Sequence, residues 1–233
     1  MLDLASVGPA ARASRILADY GATVVKVAPT SQRGGVQIQP PYYSYGAGRG
    51  MRRVRIDLKA ERGKAALLRL AATADVVIEN FKVGGLVPYA LDYDSLKALN
   101  PRLIYVSISG VGDSGPYAEK RVYDPIIQSL SGFADVQAQA GTRRPQMIRT
   151  IVADKTTSVM TAQAVTAALY AREKTGVGQH VKVAMLDTMI AFLWPEAMTN
   201  YVVVGREAPD RGDRRSLGVL DLLAVHRAGR VHD

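Results

Sequence analysis

The chain has 233 residues, 48% hydrophobic and 22% charged, with no cysteine and a formal net charge of +9. A chain of this length can bury a sizeable core without covalent staples, and the missing thiols exclude disulfides, thiolate metal sites and a cysteine nucleophile. The longest uncharged stretch, residues 156–171, is 16 residues of mixed polarity, too short to span a bilayer. No charged-then-apolar leader opens the sequence, so a cytoplasmic protein is the expectation.

The 30 Lys and Arg against 21 Asp and Glu favour anionic partners: phosphorylated small molecules, nucleic acid or an acidic membrane face. The arginines come in small groups, among them Arg49, Arg52, Arg53 and Arg55, with no nucleic-acid motif around them. Neither nucleic acid nor membrane is therefore expected as a partner.

In chain order, residues 2–4 are a short strand candidate, broken by Gly8-Pro9. Residues 10–20 read as a helix with Ala11, Ile16, Leu17 and Tyr20 near one face, closed by Gly21. Residues 23–27 are a strand, and residues 29–50, rich in Gly, Pro and Tyr, are a long loop of the kind that often carries function. A strand over 54–58, a helix over 60–73 and an apolar strand over 75–78 follow, the last with Glu79-Asn80-Phe81 at its carboxyl end. Next come a short helix over 93–99, an apolar strand over 103–109, a helix over 124–134 and a turn at 141–145. A long helix over 156–173, a strand over 179–184 and a second long helix over 186–204 complete the pattern, and residues 205–216 read as a polar linker. Strands alternating with helices imply an α/β fold with a parallel sheet.

Open parallel sheets bind ligands beyond the carboxyl ends of their strands. Three segments here end strands with polar or Gly-rich residues: Glu79-Asn80-Phe81, residues 109–116, and Ala153-Asp154. Each also reads as a cap or turn. Asp154 follows three apolar residues and makes a good helix N-cap, while the same position points a carboxylate at a crevice. His180, His226 and His232 have no second ligand at metal spacing, and there is no phosphate-binding loop, nucleophile elbow or dinucleotide fingerprint.

Taken together, several segments resemble family III coenzyme A transferases, the CaiB/BaiF family, which includes formyl-CoA and carnitinyl-CoA transferases and α-methylacyl-CoA racemases. They are residues 17–27 (LADYGATVVKV), 56–59 (IDLK), 74–81 (ADVVIENF) and 100–105 (NPRLIY). Ser109-Gly110 with Gly115-Pro116-Tyr117, Tyr123-Asp124, Asp154 and residues 175–179 (TGVGQ) continue the likeness in order, over residues 1 to about 200. The chain departs from the family's pattern at Ala153 (usually Gly), at Ala28 (often Glu) and at Gly48-Arg49-Gly50-Met51.

The resemblance implies a Rossmann-like open parallel sheet with flanking helices over residues 1–204. Residues 205–233 would then be a linker and the start of a smaller domain, with the chain truncated before the rest. It implies an acyl-CoA:carboxylate CoA-transferase that works as an interlocked homodimer on an acyl-CoA and an acceptor carboxylic acid, with no tightly bound cofactor and no metal. The family's nucleophile falls on Asp154, with Tyr123 and Asp124 beside it. Contacts to coenzyme A fall on Asn80, Phe81, Arg121, Arg33 and Val7. A racemase of the family would carry His at position 123, whereas this chain has Tyr, and a phenol is a poor base near neutrality; transfer is the expected reaction. The alternatives are a racemase or epimerase and a non-catalytic fragment that binds coenzyme A.

Overall fold

The computed structural model describes residues 1–5, 8–30, 48–139, 142 and 144–194. Its centre is a six-stranded sheet in the order β3-β2-β1-β4-β5-β6, every pair parallel. The strands are β1 (Leu2–Asp3), β2 (Val25–Ala28), β3 (Arg52–Arg55), β4 (Val76–Glu79), β5 (Ile104–Ser109) and β6 (Gln179–Ala184). β1 is two residues long yet pairs with β2 on one side and β4 on the other, so it is the pivot where strand order reverses. That order is the doubly wound arrangement expected, with its ligand crevice at the pivot.

Helices cover both faces. α1 (Gly8–Asp19), α4 (Asp124–Leu130), α6 (Val152–Thr175) and α7 (Met185–Phe192) contribute to one core. α2 (Glu61–Ala72) and α3 (Tyr93–Leu99) contribute to the other. Alternation along β4 and β5 divides the strands between the cores: Ile78, Ile104 and Val106 face the first, Val77 and Tyr105 the second. Val77, Ile78, Ile104 and Val106 are fully buried, each contributing about 1.5–3 kcal/mol relative to exposure. This is why the stretches Val76-Val77-Ile78 and Leu103-Ile104-Tyr105-Val106 are apolar at successive positions.

Several boundaries differ from expectation. The third strand lies over Arg52–Arg55 rather than 54–58, because it is an edge strand whose side chains mostly face solvent and carry no apolar signal. The helix expected over 124–134 is two, α4 and α5 (Phe133–Val136), divided at Gly132 with φ +82°. Tyr20 points outward, 86% exposed, not into the face of α1. In the helix expected over 186–204, α7 ends at Phe192, and residues beyond 194 lie outside the described residues. No described helix is long and apolar enough to cross a membrane.

Two buried charges organise the loop after β1. Lys26 donates to Asp3 Oδ2 at 2.9 Å and to the carbonyl of Ala5 at 2.6 Å, while the Ala5 amide donates to Asp3 Oδ1 at 2.8 Å. At the far end of the sheet, Gly178 brings the turn before β6 against β5. A Cβ there would lie 2.1 Å from the Leu103 carbonyl oxygen and 2.5 Å from the Arg102 carbonyl carbon. Backbone on backbone cannot yield as a side chain can, so Gly178→Ala should cost about 1–3 kcal/mol. Chemical denaturation checks this, and an unchanged midpoint would mean that the turn moves freely.

Candidate active site at the strand pivot

The chain that leaves β1 enters α1 at Gly8, which has φ +81°, a conformation that a side chain makes costly. The Asn80 amide, just past β4, sits against it: a Cβ on Gly8 would lie 3.3 Å from Asn80 Nδ2. One turn along α1, Arg12 Nη1 donates to the Gly8 carbonyl at 3.2 Å and to Asp154 Oδ2 at 3.1 Å. The ends of β1 and β4, the first turn of α1 and the first turn of α6 therefore meet at one place, above the pivot.

Asp154 is the third residue of α6, not its N-cap; the helix starts at Val152 and its cap residue, Ile151, offers no side-chain bond. The capping carboxylate comes from elsewhere. Asp124, buried in the first turn of α4, accepts the Asp154 amide on Oδ2 at 2.9 Å. Its Oδ1 accepts the Gln128 amide, and Gln128 Oε1 takes the amide of Ile148 at 3.1 Å while Nε2 also reaches the Thr150 carbonyl at 3.2 Å. Asp124 and Gln128 thus tie the segment before α6 to α4. With both oxygens engaged, Asp124 holds the backbone that carries Asp154.

α1 and α6 approach closely because the facing residues are small: Ala10 and Ala13 on one side, Ala153, Ser158 and Ala162 on the other. Ser158 Oγ bridges the two helices, donating to the Pro9 carbonyl at 3.1 Å. The Asp154 side chain is 15% exposed. Burial pushes its carboxyl above the usual carboxylate range, Arg12 pulls it back down, and the nearby Asp124 raises it further. Among the described residues no hydrogen bond reaches Oδ1. The site thus presents a carboxylate with one oxygen held and the other open, in the first turn of a helix whose dipole favours negative charge.

The other expected residues are more dispersed. Tyr123 caps α4 by position only and is 71% exposed. Arg121 is exposed in the segment just before it. Phe81 is 47% exposed, and its amide donates to Glu79 Oε2 at 2.7 Å. It lines a cavity of about 250 Å³ on the α3 side of β4–β6, together with Tyr93, Ser107, His180 and Lys182, and Asp154 does not. Val7 and Arg33 lie outside the described residues. His180 is occupied structurally, stacked on Tyr93 with ring centroids 4.6 Å apart and hydrogen-bonded to Ser107 at 2.9 Å. No group of three or more metal-ligating side chains occurs among the described residues. Arg12 and Gln128 were not expected at the site; they read as ordinary helix residues, and only the packing of α1, α4 and α6 places them there.

The family model of CoA-transferase family III matches residues 1–229. The chain belongs to CoA-transferase family III. The match runs past residue 205, where the likeness was expected to fade. The chain is 40% identical over 221 residues to the succinate–glutarate CoA-transferase of Agrobacterium fabrum, covering 88% of this chain and 54% of that protein. It is 32% identical over 220 residues to the acetyl-CoA:oxalate CoA-transferase of Acetobacter aceti, covering 92% and 56%. Among solved structures it resembles a CaiB/BaiF family protein from Brucella suis, with a TM-score of 0.78 at 40% identity over 88% of this chain and 57% of that one. This member of CoA-transferase family III thus spans about half the length of the curated relatives it matches.

Proposed function

We propose that the protein is an acyl-CoA:carboxylate CoA-transferase whose nucleophile is Asp154. The observation that carries this reading is the Asp154 carboxyl itself: shielded, positioned above the strand pivot, with Oδ2 held by Arg12 and Oδ1 without a hydrogen bond among the described residues. The relatives named above are CoA-transferases acting on small carboxylates, which supports the same class of acceptor here. An ionised carboxylate attacks a thioester without a separate base, and a thiolate leaves readily. Oδ1 would add to the acyl carbonyl and expel CoA thiolate, giving a mixed anhydride. The thiolate would then add to Cγ, expelling the first acid and leaving an aspartyl-CoA thioester. The acceptor carboxylate would reverse both steps and leave as the new thioester.

In this reading Asn80 and Phe81, with Arg121, Arg33 and Val7, contact coenzyme A, which is a substrate and not a resident cofactor. Residues 1–204 form the large domain, and residues 205–233 lead toward a smaller one. The protein works in the cytoplasm as a homodimer; exposed Val159, Met160 and Tyr170 on α6 and Phe192 on α7 supply apolar surface for a partner. Incubation with succinyl-CoA and isotope-labelled glutarate or oxalate, followed by mass spectrometry, tests the reading. A labelled CoA thioester supports it. Deuterium entering the α-carbon of a branched acyl-CoA with no acceptor present would point to a racemase instead.

The acid limb of the rate follows from the carboxyl. Because burial raises the Asp154 pKa, a fraction of the nucleophile is protonated and inert at pH values where an ordinary carboxylate is ionised. Transfer should therefore fall, as pH drops, above the usual carboxylate range of about 4. A pH–rate profile of single-turnover acylation shows this; a limb at the ordinary position would contradict it.

A further inference from the structure

The ion pair at the site has a chemical consequence that depends on which oxygen it engages. Arg12 reaches Oδ2 and leaves Oδ1 without a hydrogen bond among the described residues, so the two oxygens are not equivalent. Oδ1 is the oxygen that attacks. Once it carries the acyl group, the negative charge of the carboxylate is gone, Oδ2 is a carbonyl oxygen, and the Arg12 N–H still points at it. When a thiolate adds to Cγ, the C–S bond forms and the carbonyl electron pair moves onto Oδ2. Collapse of that adduct breaks the Cγ–Oδ1 bond and releases the first acid as its carboxylate, with Oδ1.

We propose that Arg12 is a catalytic residue of this site, holding Oδ2 while Oδ1 attacks and donating to the oxyanion that forms on Oδ2 when a thiolate adds to Cγ of Asp154. This rests on the transferase reading above. Its geometry is pre-set: Arg12 is anchored by the Gly8 carbonyl at 3.2 Å, α1 is locked to α6 through small side chains and Ser158, and the Asp154 amide is fixed by Asp124. A donor already in place where charge develops needs no reorganisation during the step, which is what makes such donors effective. Arg12 therefore acts most on the two additions to Cγ and less on attack at the acyl carbonyl, where the oxyanion is on the substrate.

The test separates these steps. Wild type, Arg12→Gln and Arg12→Lys are mixed with succinyl-CoA, and two signals are followed by rapid quench and intact-mass spectrometry: loss of succinyl-CoA and appearance of the CoA adduct on Asp154. The Arg12 side chain is 34% exposed, so the variants should fold, and circular dichroism verifies it. Removing a single oxyanion donor predicts that Arg12→Gln slows the adduct about 100-fold, slows loss of succinyl-CoA less, and is partly rescued by Arg12→Lys, whereas an adduct rate within about threefold of wild type overturns the proposal. In parallel, the Asp154 carboxyl carbon is titrated by 13C NMR. Arg12→Gln should move it to higher pH, since an opposing charge has been removed. Absence of any adduct in wild type would sink the transferase reading, and in that case an unmoved titration would sink the Arg12 contact as well, while a moved one would uphold the holding of Oδ2.

Discussion

Asp154→Asn is expected to lower CoA transfer at least about 1,000-fold, since the amide cannot form the anhydride and no other route replaces a lost covalent nucleophile. The fold should not suffer. Asn keeps an oxygen for Arg12 and the backbone amide for Asp124, so the two bonds that place the residue persist. The sign of the titration adds to this. A carboxyl whose folded pKa is raised is less comfortable ionised in the native state than in the unfolded chain; stability is lost as pH rises through that pKa and regained as pH falls. At neutral pH the ionised carboxylate is therefore held at some cost, and the amide removes it. Equal or slightly higher thermal stability with abolished transfer is the expected pair of results. Transfer within tenfold of wild type would dismiss Asp154 as nucleophile, and a collapse in melting temperature would assign it a structural role.

Lys26→Met should be the most damaging of the stability changes considered. It removes the Lys26 ion-pair partner of Asp3, a carboxylate with 0% exposure, and with it the donor to the Ala5 carbonyl. Removing one member of a buried pair leaves an uncompensated charge and costs about 3–5 kcal/mol. The double change Asp3→Asn with Lys26→Met should recover much of the loss, because no bare charge remains. Urea denaturation of the wild type and of both variants measures both quantities. A single-variant loss below about 1 kcal/mol would show that water reaches the pair after all.

Legibility in the sequence varied with how local the cause was. β4 and β5 could be read because strands covered on both faces open with successive apolar residues, Val76-Val77-Ile78 and Ile104-Tyr105-Val106. The parallel α/β arrangement followed from that and from the alternation with helices. The start of α6 was misplaced by four residues because Ile151 and Val152 resemble a strand end and Asp154 resembles a cap, while the actual capping carboxylate is Asp124, 30 residues upstream. β3 carried three arginines in four residues and hid its strand character. At the site, Asp154 was legible through family resemblance and its place after an apolar run. Arg12 was not, since its partner lies 142 residues away and nothing in the local pattern of α1 distinguishes it from a solvent-facing arginine.

That separation of 142 residues also sets a schedule during synthesis. At about 5–20 residues per second, Arg12 emerges roughly 7 to 30 s before Asp154. During that interval the small, buried face of α1, including Ala10, Ala13, Ser14 and Leu17, has no α6 to cover it. β5 and α4 also precede α6 in the chain, so most of the sheet can pair while this face still waits. The nascent protein must carry an unsatisfied helix surface until the helix bearing Asp154 arrives. Docking of α6 then covers that face and brings the Asp154 carboxylate to Arg12 in the same event, so no chain that stops short of α6 holds that pair assembled.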